Sequence, residues 1–327
     1  MRGSLNNQIM AALKQITKVG HSRHQAKIEN EGRSPFIHSV GTLDKTFQRL
    51  RPLAYWLCLR EVRNLEDLNS QMLCRYLDHR LEHHQARGNC RKTFQAELSA
   101  LMALGRALSV FSQTHRKCPA AYDFSPVREI FARQVKNLSV RTSSYVNRSI
   151  QNPMNVISRI ESPKHKLMAR LQWEAGCRAE GVGAPQRGHN PLLLENFANP
   201  ETGERFGIAS DPVTGQPAAP LWTKEKGGKT AYKYCSPGLS SDLELYFKHS
   251  GPKGLSDSYH HYLKAVNDAL VKSGEAAKGR GTHGFRYAFA QRRYSECLRA
   301  KYTDEQAKYL VSQEMSHNRA DITETYL

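Results

Sequence analysis

The chain has 327 residues, of which 39% are hydrophobic and 24% are charged, and this length predicts two domains that each bury a core. It contains no run of about 18 apolar residues and begins without the apolar segment of a secretory signal, so neither a membrane span nor export is expected. Its formal net charge of +18 at pH 7 favours a polyanionic partner, above all nucleic acid, without separating DNA from RNA or an enzyme from a packaging protein.

The amino-terminal part of the sequence predicts a basic arm followed by a helical domain. Residues 1–40 are interpreted as a mobile arm with one short helix, suited to a phosphate backbone, and a tail without a role is the alternative. Apolar residues then recur with a 3.6-residue period over three segments, 42–63, 65–87 and 92–112. These segments predict a compact helical domain over residues 41–117.

A boundary between two domains is predicted at residues 118–149, which are poorly periodic and rich in Pro, Ser, Arg and Asn. Within this linker, residues 127–137 could form one short helix. The second domain is expected over residues 150–327 and combines helices with short strands. Its predicted helices cover residues 162–178, 239–249, 256–273, 284–300 and 303–315. The expected fold class is therefore mainly α with a small β-sheet.

The clearest strand signal in the second domain is a hairpin. Two β-prone runs, residues 221–226 and 229–234, flank Gly227-Gly228, which predicts a two-residue turn. In such a hairpin Lys224 and Lys226 share one strand face, because side chains alternate along a strand.

The carboxyl end of the sequence combines groups that suit phosphodiester chemistry. His317 precedes Tyr326 by nine positions, and further upstream His283 precedes Arg286 by three. A tyrosine can attack phosphorus as a nucleophile, while guanidinium and imidazole groups neutralise the pentavalent transition state without a metal. Four further tyrosines are weaker candidates, because none follows a histidine box at this spacing: Tyr287, Tyr294, Tyr302 and Tyr309.

Three elements thus stand in order: a His-x-x-Arg box at His283 and Arg286, a second box ending in His317, and Tyr326. This order and spacing resemble the signature of the tyrosine recombinases, also called the phage integrase family. The resemblance implies that Tyr326 is the nucleophile and that Arg286 and His317 stabilise the phosphorane. It implies that His283 assists proton transfer.

The resemblance also implies an arginine and a lysine upstream. Arg178 follows a predicted helix and a small turn, as the family's first arginine does, although the acidic Glu180 lies two positions after it rather than three. Lys226 matches the family's hairpin lysine, which protonates the departing 5′-oxygen, and Lys229 is the alternative. Lys224 and Lys229 are also candidate DNA contacts.

The resemblance covers most of the chain. Residues 41–117 resemble the family's core-binding domain and residues 150–327 its α+β catalytic domain, which together would form a C-shaped clamp on DNA. It implies cleavage and rejoining of double-stranded DNA recombination sites through a 3′-phosphotyrosyl link and a Holliday junction. The expected assembly is a homo-tetramer on two DNA sites, and no cofactor is implied. Integration, excision, dimer resolution and inversion are not distinguished.

Two features depart from the family pattern. The stretch between Arg286 and His317 is longer than in compact members. In addition, only Leu327 follows Tyr326, where many members carry a tail that docks on a neighbouring protomer. The resemblance therefore leads us to expect either a different assembly or a missing tail.

Other interpretations remain open. The same fold could serve a DNA-binding or architectural protein without catalysis, and a topoisomerase could relax supercoils through the same chemistry. His79, Glu82 and His83 form an H-x-x-E-H box, in which both histidines ligate zinc in inverted zinc proteases, but no third ligand is evident. Seven scattered cysteines without a CxxC pair predict neither a zinc ribbon nor a disulfide framework and are typical of reduced thiols in a cytoplasmic protein.

Overall fold

The computed structural model describes residues 1–327 except 33, 89–90, 139–147, 187, 226–228, 277–279 and 318–319. The side chains of residues 23, 24, 137, 229, 252 and 322 also lie outside the description. The chain divides into two compact units, Met1–Ser144 and Tyr145–Leu327. Helices dominate, and the sheet in the described part has three strands, which confirms the predicted class of mainly α with a small β-sheet. Among the described helices, none has the length and hydropathy of a membrane span.

The first unit is built from helices. They are α1 (Leu5–Gln15), α2 (Arg23–Ile28), α3 (Val40–Cys58), α4 (Ser70–Ala86), α5 (Arg91–His115) and α6 (Ser125–Gln134), with 3-10 turns at Leu65–Asp67 and Val135–Asn137. Ser4, Ser39 and Asn69 cap α1, α3 and α4, since each side chain accepts a hydrogen bond from the backbone N–H three residues later. Buried apolar side chains from five of these helices form one core, among them Ile9, Leu53, Leu73, Leu104 and Phe131.

The first 40 residues contribute to this core, which differs from the predicted mobile arm. Ile9 and Leu13 of α1 are fully buried, and α1 packs against α3 and α5. The buried amide of Gln8 donates to Arg63 O at 2.8 Å and accepts from Leu65 N at 2.7 Å. The apolar spacing predicted the helix, but these partners lie more than fifty residues away in sequence and leave no local signal.

The segment after α5 also packs on the first unit, within the predicted linker of residues 118–149. Tyr122 N donates to Ser109 Oγ at 2.8 Å, and its hydroxyl donates to Glu66 O at 3.0 Å. Phe131 of α6 is buried in the same core. The beginning of the predicted linker is therefore docked, while residues 139–147 lie outside the described residues.

Gly105 of α5 allows this segment to approach the helix. A Cβ at this position would lie 2.7 Å from Tyr122 O and 2.8 Å from Phe124 Cδ2. We expect Gly105→Ala to lower the free energy of unfolding by about 1–3 kcal/mol, because overpacking forces neighbours to shift. Urea unfolding followed by circular dichroism measures this loss. Gly41→Ala in α3 is the control, since a Cβ there meets no atom within 4 Å, and an equal loss in both variants would contradict the prediction.

The second unit combines six helices of the described chain with the sheet. Its helices are α7 (Pro153–Arg159), α8 (Pro163–Glu174), α9 (Pro237–Ser250), α10 (Tyr259–Lys272), α11 (His283–Arg299) and α12 (Asp304–Glu314). Its strands are β1 (Ala209–Ser210), β2 (Pro217–Glu225) and β3 (Lys229–Cys235), and 3-10 turns lie at Glu180–Val182, Leu194–Phe197, Gly251–Lys253 and Ala320–Thr325. The five predicted helices correspond to α8 through α12. The buried apolar faces of α8 through α11 meet in one core that includes Met168, Leu239, Val266 and Phe285, while Val311 of α12 lies in a smaller cluster with Phe289 and Met315.

The sheet is antiparallel in the order β1-β2-β3, and its register differs from the predicted hairpin. The last described pair is Glu225 with Lys229, whereas a two-residue turn at Gly227-Gly228 would pair Lys226 with Lys229; the turn itself lies outside the described residues. Register decides which side chains share a face. In the observed register Thr223, Glu225 and Lys233 are buried on the inner face of the hairpin, while Lys224 is exposed on the other.

Candidate active site

Arg286 lies at the centre of the predicted catalytic residues. Its side chain is 1% exposed, and α11 places it between two turns. Its Nη1 donates to Gly176 O and its Nη2 donates to Met315 O. The same Nη2 lies 3.3 Å from Nε2 of His317. Arg286 therefore ties the turn after α8 to the turn after α12.

The turn after α8 brings Arg178 to this place. Gly176 has φ of +63°, and a Cβ there would lie 2.5 Å from the ring of Phe289, so both conformation and space require glycine. Two residues later, Arg178 donates from its backbone N and its Nη1 to the two carboxylate oxygens of Glu225, at 3.3 and 3.0 Å. Arg178 is thereby anchored to the end of β2.

Glu225 is a member of this cluster that was not predicted from the sequence. Its side chain is buried, and its Oε1 also accepts from Thr223 Oγ1 at 3.2 Å. Burial alone would raise the pKa of the Glu225 carboxyl, but the positive charges of Lys233, Arg286 and Arg178 outweigh this effect and lower the pKa. Glu225 is therefore a buried anion that holds cations in place.

Lys233 of β3 is the second residue that was not predicted. It is 2% exposed, and its ammonium donates to Glu314 O and, at 3.1 Å, to Ser316 Oγ. Burial lowers the pKa of Lys233 to about 8, although the negative charge of Glu225 opposes the shift. Lys233 thus stands in the electrostatic environment of Arg286 and His317.

Tyr326 joins the cluster from the carboxyl end. It follows the 3-10 turn Ala320–Thr325, and its hydroxyl lies 3.4 Å from Nε2 of His317. Its ring packs on Tyr287 of α11 with centroids 4.6 Å apart, and its carbonyl accepts from Gln291 Nε2 at 3.1 Å. These contacts hold the phenol beside both His317 and α11.

The electrostatic surroundings of His317 favour an uncharged ring. Burial and the positive charges of Arg286, Arg178 and Lys233 lower the pKa of His317 to about 4. Because a guanidinium can only donate, Nε2 of His317 is the acceptor in its contact with Arg286. The Tyr326 hydroxyl lies near the same nitrogen and can donate to it. His317 therefore orients the phenol at neutral pH without carrying a charge.

His283 is the first residue of α11, and its side chain is exposed. Desolvation by the surrounding protein lowers the pKa of His283, and the charges of Arg286, Arg178 and Arg148 lower it further. Its uncharged form is therefore favoured at neutral pH, which leaves one ring nitrogen able to accept a proton.

The cluster is suited to an anion. Arg178, Arg286 and Lys233 bring positive charges to it, while Glu225 brings a negative one. In addition, Nε of the buried Arg286 finds no hydrogen-bond acceptor among the residues that the structure describes. A desolvated guanidinium with a donor to spare, beside an uncharged imidazole and a phenol, can stabilise the oxygens of a phosphodiester.

The structure describes only some of the predicted hairpin lysines. Lys226 lies outside the described residues, and for Lys229 the backbone alone is described, at the start of β3. Lys224 is exposed, and its side chain lies on the other face of β2 from that of Glu225. The assignment of a lysine as proton donor therefore stays a prediction.

The H-x-x-E-H box lies on α4 in the first unit. His79 is exposed, and the neighbouring Arg80 and His84 converge instead on Glu97 of α5, at 2.6 and 3.0 Å from its Oε1. Across the described chain, no group of three or more His, Cys, Asp or Glu side chains is placed to hold a metal ion. The described geometry therefore offers the box no third ligand.

Comparison with solved structures identifies the fold. The XerH site-specific recombinase bound to its difH substrate in a pre-cleavage complex aligns with a TM-score of 0.61 and 13% identity, over 100% of this chain and 93% of that chain. XerH bound to a palindromic difH substrate in a post-cleavage complex aligns with a TM-score of 0.60, at the same identity and coverage. No protein-family model and no curated protein sequence matches the chain. The chain has the tyrosine recombinase fold, as its motifs predicted.

Proposed function

We propose that the chain is a site-specific DNA recombinase that cleaves and rejoins duplex DNA through Tyr326. One observation carries the proposal: Arg286 Nη2 and the Tyr326 hydroxyl lie 3.3 and 3.4 Å from the same nitrogen of His317, on a tyrosine recombinase fold. The XerH structures that resemble the chain hold DNA substrates, which supports DNA as the partner. The net charge of +18 supports it as well.

In the proposed reaction the Tyr326 oxygen attacks the scissile phosphorus. A bond from the phenol oxygen to phosphorus forms as the bond to the 5′-oxygen breaks, which leaves a 3′-phosphotyrosyl link and a free 5′-hydroxyl. Arg178 and Arg286 stabilise the charge on the non-bridging oxygens, and His317 orients the phenol and contributes to that stabilisation. His283 assists transfer of the phenol proton, and the 5′-oxygen leaves with a proton.

The proton donor in this proposal is Lys226, with Lys229 as the alternative. Attack by a 5′-hydroxyl on the phosphotyrosine reverses the chemistry, so the strand is rejoined without ATP or a cofactor. We extend the proposal to a homo-tetramer that holds two DNA sites in the cytoplasm and passes through a Holliday junction. A C-shaped clamp formed by the two units, with Lys224 on the DNA backbone, belongs to the same proposal.

A nicked suicide duplex tests this function. DNA fragments that co-purify with the protein supply the sites, and each is prepared with a nick next to the scissile position so that cleavage is trapped. We expect a covalent protein–DNA adduct that resists SDS and forms equally in EDTA, because the chemistry requires no metal.

Each other outcome points to a different function. Tight binding without an adduct on any fragment would favour a DNA-binding or architectural protein of the same fold. Relaxation of supercoiled plasmid without a site preference would favour a topoisomerase. Loss of the activity in EDTA would contradict the proposed chemistry.

A further inference from the structure

We propose that Lys233 is a positioning residue for DNA cleavage, because its ammonium fixes the turn that carries His317. This inference rests on the function proposed above. It concerns a residue on the inner face of β3, opposite Leu221 in the sheet register, that the sequence motifs do not include.

The first step of the argument is the carboxyl end of α12. Helix α12 ends at Glu314, and the last carbonyl groups of a helix have no partner within the helix. Lys233 donates to Glu314 O, and Arg286 donates to Met315 O. Positive charge at this end also matches the direction of the helix dipole. Two buried cations from different elements, β3 and α11, therefore close the end of α12.

The second step is the conformation of Ser316. Its φ of +59° lies in the left-handed region, which residues other than glycine adopt only when the surroundings impose it. Lys233 donates to its hydroxyl at 3.1 Å, and the next residue, His317, donates from its backbone N to Ser312 O at 2.8 Å. Ser316 directly precedes His317, so the contacts that hold Ser316 also set the position of the imidazole.

The third step is the burial of Lys233 itself. Lys233 is 2% exposed and its ammonium donates to Glu314 O and Ser316 Oγ, so it acts through the residues it touches. Arg286, by contrast, keeps an Nε donor that is unused among the described residues. A buried ammonium is costly unless its charge and donors are satisfied, and Glu225, Glu314 O and Ser316 Oγ satisfy them. An apolar side chain at this inward position would avoid that cost, which singles out the ammonium as functional.

Lys233→Met tests the proposal, because it keeps the length of the side chain and removes its charge and donors. We expect single-turnover cleavage of the suicide duplex to fall about 10- to 100-fold, as misplacement of a reacting group by about 1 Å does, while the DNA dissociation constant stays unchanged. A cleavage rate equal to that of the wild type would overturn the proposal.

A pH profile of cleavage provides a readout that a merely structural role would not move. Arg286, Arg178 and Lys233 lower the pKa of His317, and Glu225 opposes them. Removal of the Lys233 charge favours the protonated imidazole, so the pKa of His317 rises. The fall of activity at acid pH should therefore begin at a higher pH in Lys233→Met than in the wild type. An acid limb that stays in place contradicts the proposal.

Three controls complete the experiment. Val266→Ala, in the core of the same unit, lowers stability at a position away from the turn. An equal loss of cleavage rate in Val266→Ala and Lys233→Met would show that Lys233 has only a structural role.

If Lys233→Met fails to fold, Ser316→Ala decides instead, since it removes only the hydroxyl contact and should still slow cleavage several-fold; an unchanged rate overturns the proposal. Wild-type protein that forms no adduct refutes the proposed function, whereas a normal wild type with an unaffected variant refutes only this inference.

Discussion

Tyr326→Phe is expected to abolish the covalent protein–DNA adduct and to leave DNA binding unchanged. The substitution removes the hydroxyl that lies 3.4 Å from His317 Nε2 and keeps the ring that packs on Tyr287 at 4.6 Å. Without the phenol oxygen no phosphotyrosyl bond can form, so the adduct should be undetectable and not merely reduced in amount. The measurements are the SDS-resistant adduct on a labelled suicide duplex and the dissociation constant of the intact duplex.

Two other tyrosines serve as matched variants. Tyr287 has the phenol ring that packs directly on Tyr326, and Tyr287→Phe keeps this ring contact, so the adduct should persist. Tyr309 on α12 is 55% exposed, and Tyr309→Phe should behave as the wild type. An adduct that survives Tyr326→Phe and disappears in Tyr287→Phe would show that the nucleophile had been assigned to the wrong residue.

The parts of the site that lie close together in sequence were predictable. His283 and Arg286 are three residues apart on α11, and such a spacing places two side chains on one helix face whatever the tertiary structure. The periodic apolar residues of α8 through α12 likewise predicted the helices that carry the site. Helix geometry and the hydrophobic period are visible in short stretches of sequence, so they can be predicted without knowledge of long-range contacts.

The residues that were not predicted depend on pairings between distant segments. Glu180 was considered as the acidic neighbour of Arg178, but the carboxylate that binds this arginine comes from Glu225, 47 residues away. Lys233 was overlooked for a related reason. The observed pairing of Glu225 with Lys229 differs by one residue from the pairing that a two-residue turn implies, which changes the side chains that face each other across the hairpin, and the Gly-Gly pair alone did not determine this register.

A stronger signal for both residues was present in the strands. Leu221, Thr223 and Glu225 alternate on the buried face of β2, and Ala231 and Lys233 do so on β3. A charged residue at an inward position of a strand is costly and therefore informative. Once the register is known, the inward positions of Glu225 and Lys233 mark them as buried charged residues that need partners.

Arg286→Lys is expected to reduce cleavage about 10²- to 10³-fold, the range seen when one preorganised donor to a transition-state oxyanion is removed. Lysine retains the positive charge but not the planar fork that donates to Gly176 O, Met315 O and His317 together. The substitution also leaves buried carbonyl groups without a donor, which should lower the free energy of unfolding by about 1–3 kcal/mol. Single-turnover cleavage and urea unfolding measure the two effects separately.

Arg292→Lys is the matched control for this prediction. Arg292 lies on the same helix, and its Nη2 donates to the backbone carbonyls of Trp173 and Glu174 at 3.3 and 3.0 Å, so the substitution also removes a guanidinium that bridges two carbonyls. It should lower stability by a smaller amount, because Arg292 is 33% exposed, and leave the cleavage rate of the folded protein near that of the wild type. If both variants lose cleavage in proportion to stability, Arg286 supports the fold alone, and stabilisation of the phosphorane must come from other residues.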